Sequence, residues 1–295
     1  MRHGFLFIDK PVGLTSHDCV ARVRGALSER DIGHLGTLDP AATGLLVLAV
    51  GAKALKIIEL FSGLTKEYDA SIRFGAVSTT YDAEGVIETV APRPGWTVPP
   101  VETVRDILAG RFLGTIDQIP PIYSAVHVGG ERAYRKARRA LNQSGALGSG
   151  QGRALNMPVR SIEIHALDIL SYEYPSLSLR VACGSGTYIR SLAHDLGQVL
   201  RAGAYLAGLR RSRVGEWSVN DAVTLEHVCW AKVVPLRTIL AERPRLDLLS
   251  CEIEDLRFGR DIARHIGAET IGWFEDLPVA VLVPSERGAH ARKVL

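Results

Sequence analysis

The run Leu45-Leu46-Val47-Leu48-Ala49-Val50, bounded by Gly44 and Gly51, constrains this chain more than any other stretch. Six consecutive apolar residues between glycines leave no side for water, which is the signature of a strand buried on both faces. A polar loop, Gly33-His34-Leu35-Gly36-Thr37-Leu38-Asp39-Pro40-Ala41-Ala42-Thr43-Gly44, leads straight into it. Ionisable groups on a loop held by a buried strand can be placed accurately and kept partly dry, as a chemical site requires. Asp39-Pro40 is equally an ordinary helix start, with Asp as N-cap and Pro in the first turn. The loop by itself leaves both readings open.

Other segments carry clear periodicities. Gly4 to Ile8 reads as a short strand ending in a turn at Asp9 to Gly13, and Ser16 as the N-cap of a helix with Val20, Val23 and Leu27 on one face. Ala54 to Phe61 reads as a helix turning Leu55, Ile58 and Phe61 inward. Lys66 to Phe74 alternates, placing Tyr68, Ala70, Ile72 and Phe74 on the apolar face of a half-buried strand. Tyr68 there suits the core as well as a site. Asp82, in the polar turn Thr79 to Gly85, suits a turn former.

Further along, the pattern predicts a helix from about Val101 to Phe112 with Val104, Leu108 and Phe112 inward, then a strand from Ile122 to Val128. Glu131 to Arg139 packs five positive charges against one negative among helix formers, which suits a solvated helix or a polyanion-binding one. Asn142 to Arg153 reads as a flexible excursion. Val159 to Leu170 and Leu177 to Cys183 read as strands. Gly184 to Arg190 is a glycine turn opening a helix with Ile189, Leu192, Leu196 and Val199 as its inner stripe. Arg190 in that first turn opposes the helix dipole, which hints at a specific anionic partner. Leu209 to Arg213 is a second basic cluster, Thr224 opens a helix that fades near Pro235, and the chain past Pro244 looks like a small β-rich appendage with a helix at Glu252 to Phe258.

Several chemistries are absent. The sequence has no P-loop, no complete dinucleotide fingerprint, no H-E-x-x-H and no nucleophile elbow, so neither ATP, NAD nor a metal is called for. Its four cysteines are scattered, no apolar stretch reaches membrane-spanning length and no secretory segment opens the chain. These features predict a soluble, cytoplasmic protein with reduced thiols. A formal charge of +3 implies no nucleic acid by itself; the clustering of the basic residues does point to RNA or DNA.

Five blocks in order then resemble one family, the bacterial tRNA pseudouridine-55 synthases of TruB type: Gly33 to Gly44, Lys66-Glu67-Tyr68, Thr80 to Gly85, Gly184 to Gly197 and Leu209 to Gly215. Ile119 to Ala137 resembles the family's RNA-gripping insertion, whereas Asn142 to Arg153 departs from the family's shorter, more charged connection. The resemblance implies an α+β fold: a mixed, largely antiparallel sheet flanked by helices over residues 1–240, with an RNA-binding insertion at about 119–155. A small PUA-like unit would occupy residues 241–295. It implies Asp39 as the catalytic carboxylate, kept ionised by Arg190, with Tyr68 stacking on the flipped uracil and its hydroxyl handling the C5 proton. His34 would fill the space the base leaves, Tyr188 and Leu209 would line the pocket, and Lys10, Arg132, Arg135 and Arg210 would meet phosphates. The implied partner is the T-stem-loop of tRNA, met by a monomer with no cofactor and no guide RNA. A non-catalytic RNA-binding module and a guide-dependent synthase are the alternatives.

Overall fold

A computed structural model describes residues 3–124, 127–128, 131–132 and 157–295. Among these, ten strands form one sheet in the order β14-β1-β3-β12-β4-β11-β10-β7, with β2 against β3 and β13 against β12. The strands nearest the site are β1 (Gly4–Lys10), β2 (Ile32–Leu35), β3 (Thr43–Val50) and β4 (Lys66–Phe74). Two short hairpins, β5 (Ala76–Ser78) with β6 (Ile87–Thr89) and β8 (His127–Val128) with β9 (Glu131–Arg132), lie off the sheet. The sheet continues with β7 (Gly114–Gln118), β10 (Arg160–Glu173), β11 (Ser176–Cys183), β12 (Ala204–Val214), β13 (Trp217–Ser218) and β14 (Val234–Pro235). Every pairing is antiparallel except that of β12 with β3. At that parallel junction Gly44 (φ +99°) allows a contact no side chain would: a Cβ there would lie 2.3 Å from the Arg211 carbonyl oxygen.

The all-apolar run is buried on both faces, as its composition requires. Leu46, Leu48 and Val50 join Leu6 and Ile8 in a core under helices α1 (Ser16–Leu27), α3 (Val101–Arg111) and α4 (Ile189–Val199). Leu45, Val47 and Ala49 join Phe5 and Phe7 in a second core on the other face, which α2 (Ala52–Ile57) helps to close. Each of these Leu, Val, Ile and Phe side chains contributes roughly 1.5–3 kcal/mol when fully buried, so the strand that carries the Asp39 loop is firmly seated.

A separate four-stranded sheet, β15 (Arg245–Asp247), β16 (Thr270–Phe274), β17 (Leu277–Ser285) and β18 (Gly288–Val294), forms the β-rich C-terminal region with the helix Ser250–Arg257. It packs on the second core through Ile271, Trp273 and Val281. Arg292 ties it to the first sheet's layer, with Nη2 2.7 Å from Glu59 Oε1, and Lys56 Nζ donates to the Val294 carbonyl at 2.8 Å.

Several local expectations are revised. Thr15, not Ser16, caps α1, because Asp18 stands three residues after Thr15 and completes a capping box. The Ala54 to Phe61 helix divides into α2 and a 3-10 turn, Ile58–Phe61, and turns Ala54, Ile57 and Phe61 fully inward. Among the described residues of Ile122 to Val128, only His127–Val128 form a strand. Glu131 and Arg132 form β9 instead of starting a helix. The segment after Thr224 is two 3-10 turns, Leu225–His227 and Trp230–Lys232, instead of one helix. Arg135, most of the basic run and the Asn142 to Arg153 segment lie outside the described residues.

Candidate active site

Four segments far apart in sequence meet at one guanidinium. Arg190 stands in the first turn of α4 and is only 6% exposed. Its Nε lies 3.0 Å from Asp39 Oδ2, and its Nη2 donates to Asp39 Oδ1 at 3.3 Å and to the Tyr123 carbonyl at 3.0 Å. Its Nη1 lies 3.3 Å from Asp82 Oδ2 and donates to the Thr80 carbonyl at 3.4 Å. The anionic partner expected from the dipole argument is therefore double: two carboxylates offset the cost of a cation at a helix N-terminus.

No helix follows Asp39-Pro40. The Asp39 carbonyl accepts the Ala42 N–H at 3.1 Å in a tight turn, since the chain must enter β3 at Thr43. That geometry overturns the helix-cap reading. The loop is pinned on both sides of Asp39: the Ser16 hydroxyl donates to the Leu38 carbonyl at 3.0 Å and accepts the Leu38 N–H at 2.9 Å. The Pro40 carbonyl accepts the Gly13 N–H at 2.9 Å and the Lys10 ammonium at 3.2 Å. The Asp39 side chain remains 39% exposed, towards the pocket. Burial pushes its pKa up and Asp82 adds to this, while Arg190 and Lys10 pull it down. A carboxylate held by a cation yet poorly hydrated suits nucleophilic or electrostatic work.

Asp39 and Arg190 border a pocket of about 720 Å³, within the range of roughly 300–1,000 Å³ usual for ligand sites. Tyr68 forms one wall from the inward face of β4 and is 9% exposed, so it belongs to the core and to the pocket together. Burial raises its phenol pKa, against the pull of the neighbouring Arg211. Tyr188 and Leu209 also line the pocket. Tyr188 is fixed by the Gln118 side chain, whose Oε1 accepts the Tyr188 N–H at 2.8 Å while its Nε2 donates to the Tyr188 carbonyl at 3.1 Å. His34 stands beside the pocket, its Nε2 3.1 Å from Thr37 Oγ1 and its ring 5.2 Å, edge to face, from that of His17, which does line it.

The basic residues divide differently from expectation. Lys10 is fully buried and donates to the Pro11 and Pro40 carbonyls, so it braces the Asp39 loop and has no surface to offer a phosphate. Arg210 faces away from Tyr68 and grips Asp9 with two bonds, at 3.0 and 2.8 Å. Arg211, in register with Tyr68, is 1% exposed and donates to the Leu45 and Gly36 carbonyls at 2.7 and 3.1 Å. The second basic cluster is thus largely structural. Arg132 lies on β9, and Arg135 is outside the described residues.

Sequence reasoning passed over Asp82 as a site residue, although the T-x-D-x-x-G block contained it. Its Oδ1 accepts the Glu84 N–H at 3.0 Å, as a turn former does, while Oδ2 reaches Arg190. Gly85 supplied a signal, because a Cβ there would lie 2.4 Å from Ser78 Oγ. Among the described residues no cluster of His, Cys, Asp and Glu could hold a metal ion, and no helix is long and apolar enough to cross a membrane.

Residues 24–189 match the TruB family pseudouridylate synthase N-terminal domain, and residues 190–243 match the tRNA pseudouridylate synthase B C-terminal domain. The chain belongs to the TruB family. Asp39 falls in the first match and Arg190 at the start of the second, so their ion pair joins the two family regions. The tRNA pseudouridine synthase B of Syntrophomonas wolfei is 41% identical over 273 residues, 89% of this chain and 85% of that protein. That of Deinococcus radiodurans is 39% identical over 286 residues, covering 85% and 86%, and that of Trichormus variabilis 42% identical over 225 residues, covering 75% and 71%. In fold, the chain resembles the solved Cbf5-Nop10-Gar1 complex, with a TM-score of 0.70 at 22% identity over 99% of this chain and 85% of that one. It also resembles an archaeal box H/ACA Nop10-Cbf5 complex, with a TM-score of 0.67 at 20% identity, covering 99% and 86%.

Proposed function

We propose that this protein isomerises uridine to pseudouridine in tRNA, at position 55 of the T-loop, with no cofactor and no guide RNA. The observation that carries this reading is Asp39 at a pocket walled by Tyr68, held there by the buried Arg190, which also grips the buried Asp82. A module that only bound RNA would not need a carboxylate fixed by an arginine at a pocket. Residues 241–295 and the insertion at about 119–155 would add RNA contacts around it.

The reaction breaks the N1–C1′ bond of the target nucleotide, joins C1′ to C5, and moves a proton from C5 to N1. Atoms and electrons are conserved, so no energy source or redox partner enters. Hydrolytic glycosidases need a second carboxylate to manage water. Here water has to be kept out, and one carboxylate, Asp39, suffices as nucleophile or electrostatic stabiliser. The target base is stacked in the T-loop and must be flipped into the pocket. Tyr68 would stack on the uracil and relay the C5 proton, Tyr188 and Leu209 would enclose it, and His34 would occupy the gap left behind.

The test is tritium release from a C5-labelled uridine in an isolated T-stem-loop with no other RNA. Wild type is expected to release it, and Asp39→Asn to bind the stem-loop yet release none. Full turnover by Asp39→Asn would refute the role of the carboxylate, and activity only on addition of a second RNA would favour a guided synthase.

A further inference from the structure

Four buried side-chain polar atoms have no hydrogen-bond partner among the described residues: those of His3, Ser124, His194 and Trp273. Of these residues only Ser124 lines the pocket. A buried hydroxyl left unpaired costs free energy, and such groups in folded proteins call for an explanation.

The approach to Ser124 is unusually well fixed. Gln118 holds Tyr188 with two bonds, the Ile119 carbonyl accepts the Ser191 hydroxyl at 2.7 Å, and the Tyr123 carbonyl accepts Arg190 Nη2. Pro120, Pro121 and Ile122 are buried between these anchors. The segment is thus stapled to the first turn of α4, and its next residue, Ser124, lines the pocket that Asp39 faces, with its hydroxyl buried and unsatisfied. We infer that the Ser124 hydroxyl is a substrate-binding group that hydrogen-bonds the flipped uridine. A hydroxyl both donates and accepts, so it can follow the uracil's edge as the base turns from its N1 to its C5 attachment. This rests on the function proposed above and adds a contact to it.

The experiment measures kcat, KM and thermal unfolding for wild type, Ser124→Ala and Ser124→Cys on the C5-tritiated T-stem-loop. Removing one neutral hydrogen bond should lower kcat/KM for Ser124→Ala by roughly three- to tenfold. The Cys variant, a weak donor of similar shape, should fall between. Equilibrium binding of the stem-loop should change by about twofold or less, because phosphate contacts dominate it. The Tm of Ser124→Ala should equal or exceed that of wild type, since an orphaned hydroxyl is removed. A merely structural serine would give the opposite pattern, lower Tm with unchanged kcat/KM. That pattern, or wild-type kinetics in the Ala variant, overturns the inference. Inactive wild type would refute the proposed function, and the inference with it; active wild type with an unaffected Ala variant refutes the inference alone.

Discussion

Replacing Arg190 by lysine keeps the charge and changes only the geometry. The guanidinium reaches five acceptors: both Asp39 oxygens, Asp82 Oδ2 and the carbonyls of Thr80 and Tyr123. An ammonium has three donors on one nitrogen, so at least two of the five contacts must be lost. Taking about 1–2 kcal/mol for each lost contact, with the charged ones at the upper end, Arg190→Lys should destabilise the fold by roughly 2–4 kcal/mol. At about 2–4 °C per kcal/mol for a domain of this size, Tm should fall by roughly 4–16 °C. The lysine has to choose between the two carboxylates, and whichever way it settles Asp39 is less firmly held. Loss of orientation at a reacting group commonly costs on the order of 100-fold in rate. The assay pairs thermal unfolding with tritium release on the T-stem-loop at a temperature where both proteins are folded. A variant with wild-type Tm and wild-type kcat would refute the idea that the fork geometry of Arg190, and not its charge alone, assembles the site.

Two further outcomes are expected. Lys10→Met should slow catalysis by loosening the Pro40 carbonyl, while the slope of log binding constant against log salt stays unchanged; a fall in slope of about 0.7–0.9 would show that Lys10 meets a phosphate after all. Burial pushes the Asp195 carboxyl up to about 6 from its ordinary 3.8, so the folded state binds its proton more tightly than the unfolded one. The stabilising contribution is full below about pH 4 and lost as pH rises through 6, leaving the ionised group a cost of up to about 3 kcal/mol at neutral pH. Asp195→Asn should therefore raise Tm at pH 7 and not at pH 4, and an equal effect at both pH values would refute this account.

What could be read from the sequence followed the range of the forces involved. The doubly buried β3 and the alternating β4 were legible because their periodicities record burial residue by residue. Asp39, Tyr68 and Arg190 were legible through motif blocks, and the structure brings all three to one pocket. Asp82 reads locally as a turn former, and nothing near it in the chain announces an arginine over a hundred residues away. Lys10 looks like a surface cation because lysine usually is one; only the Asp39 loop folding over it buries it. Thr15 and Ser16 are chemically equivalent caps, and the choice fell to Asp18 and to the partner Ser16 finds in Leu38. The 3-10 turns after Thr224 bury no residue fully, so no apolar stripe existed to define them.

The Asp39–Arg190 bond closes a loop of 151 residues. Contacts so distant along a chain form late, because the entropy of bringing the ends together has to be overcome before the contact contributes anything. A chain emerging from synthesis has Asp39 early and lacks its counterion until α4 has docked, so until then the carboxylate does not have its orientation. Catalytic competence therefore arrives with the completed fold, and an incompletely folded molecule has little means of modifying RNA at the wrong place.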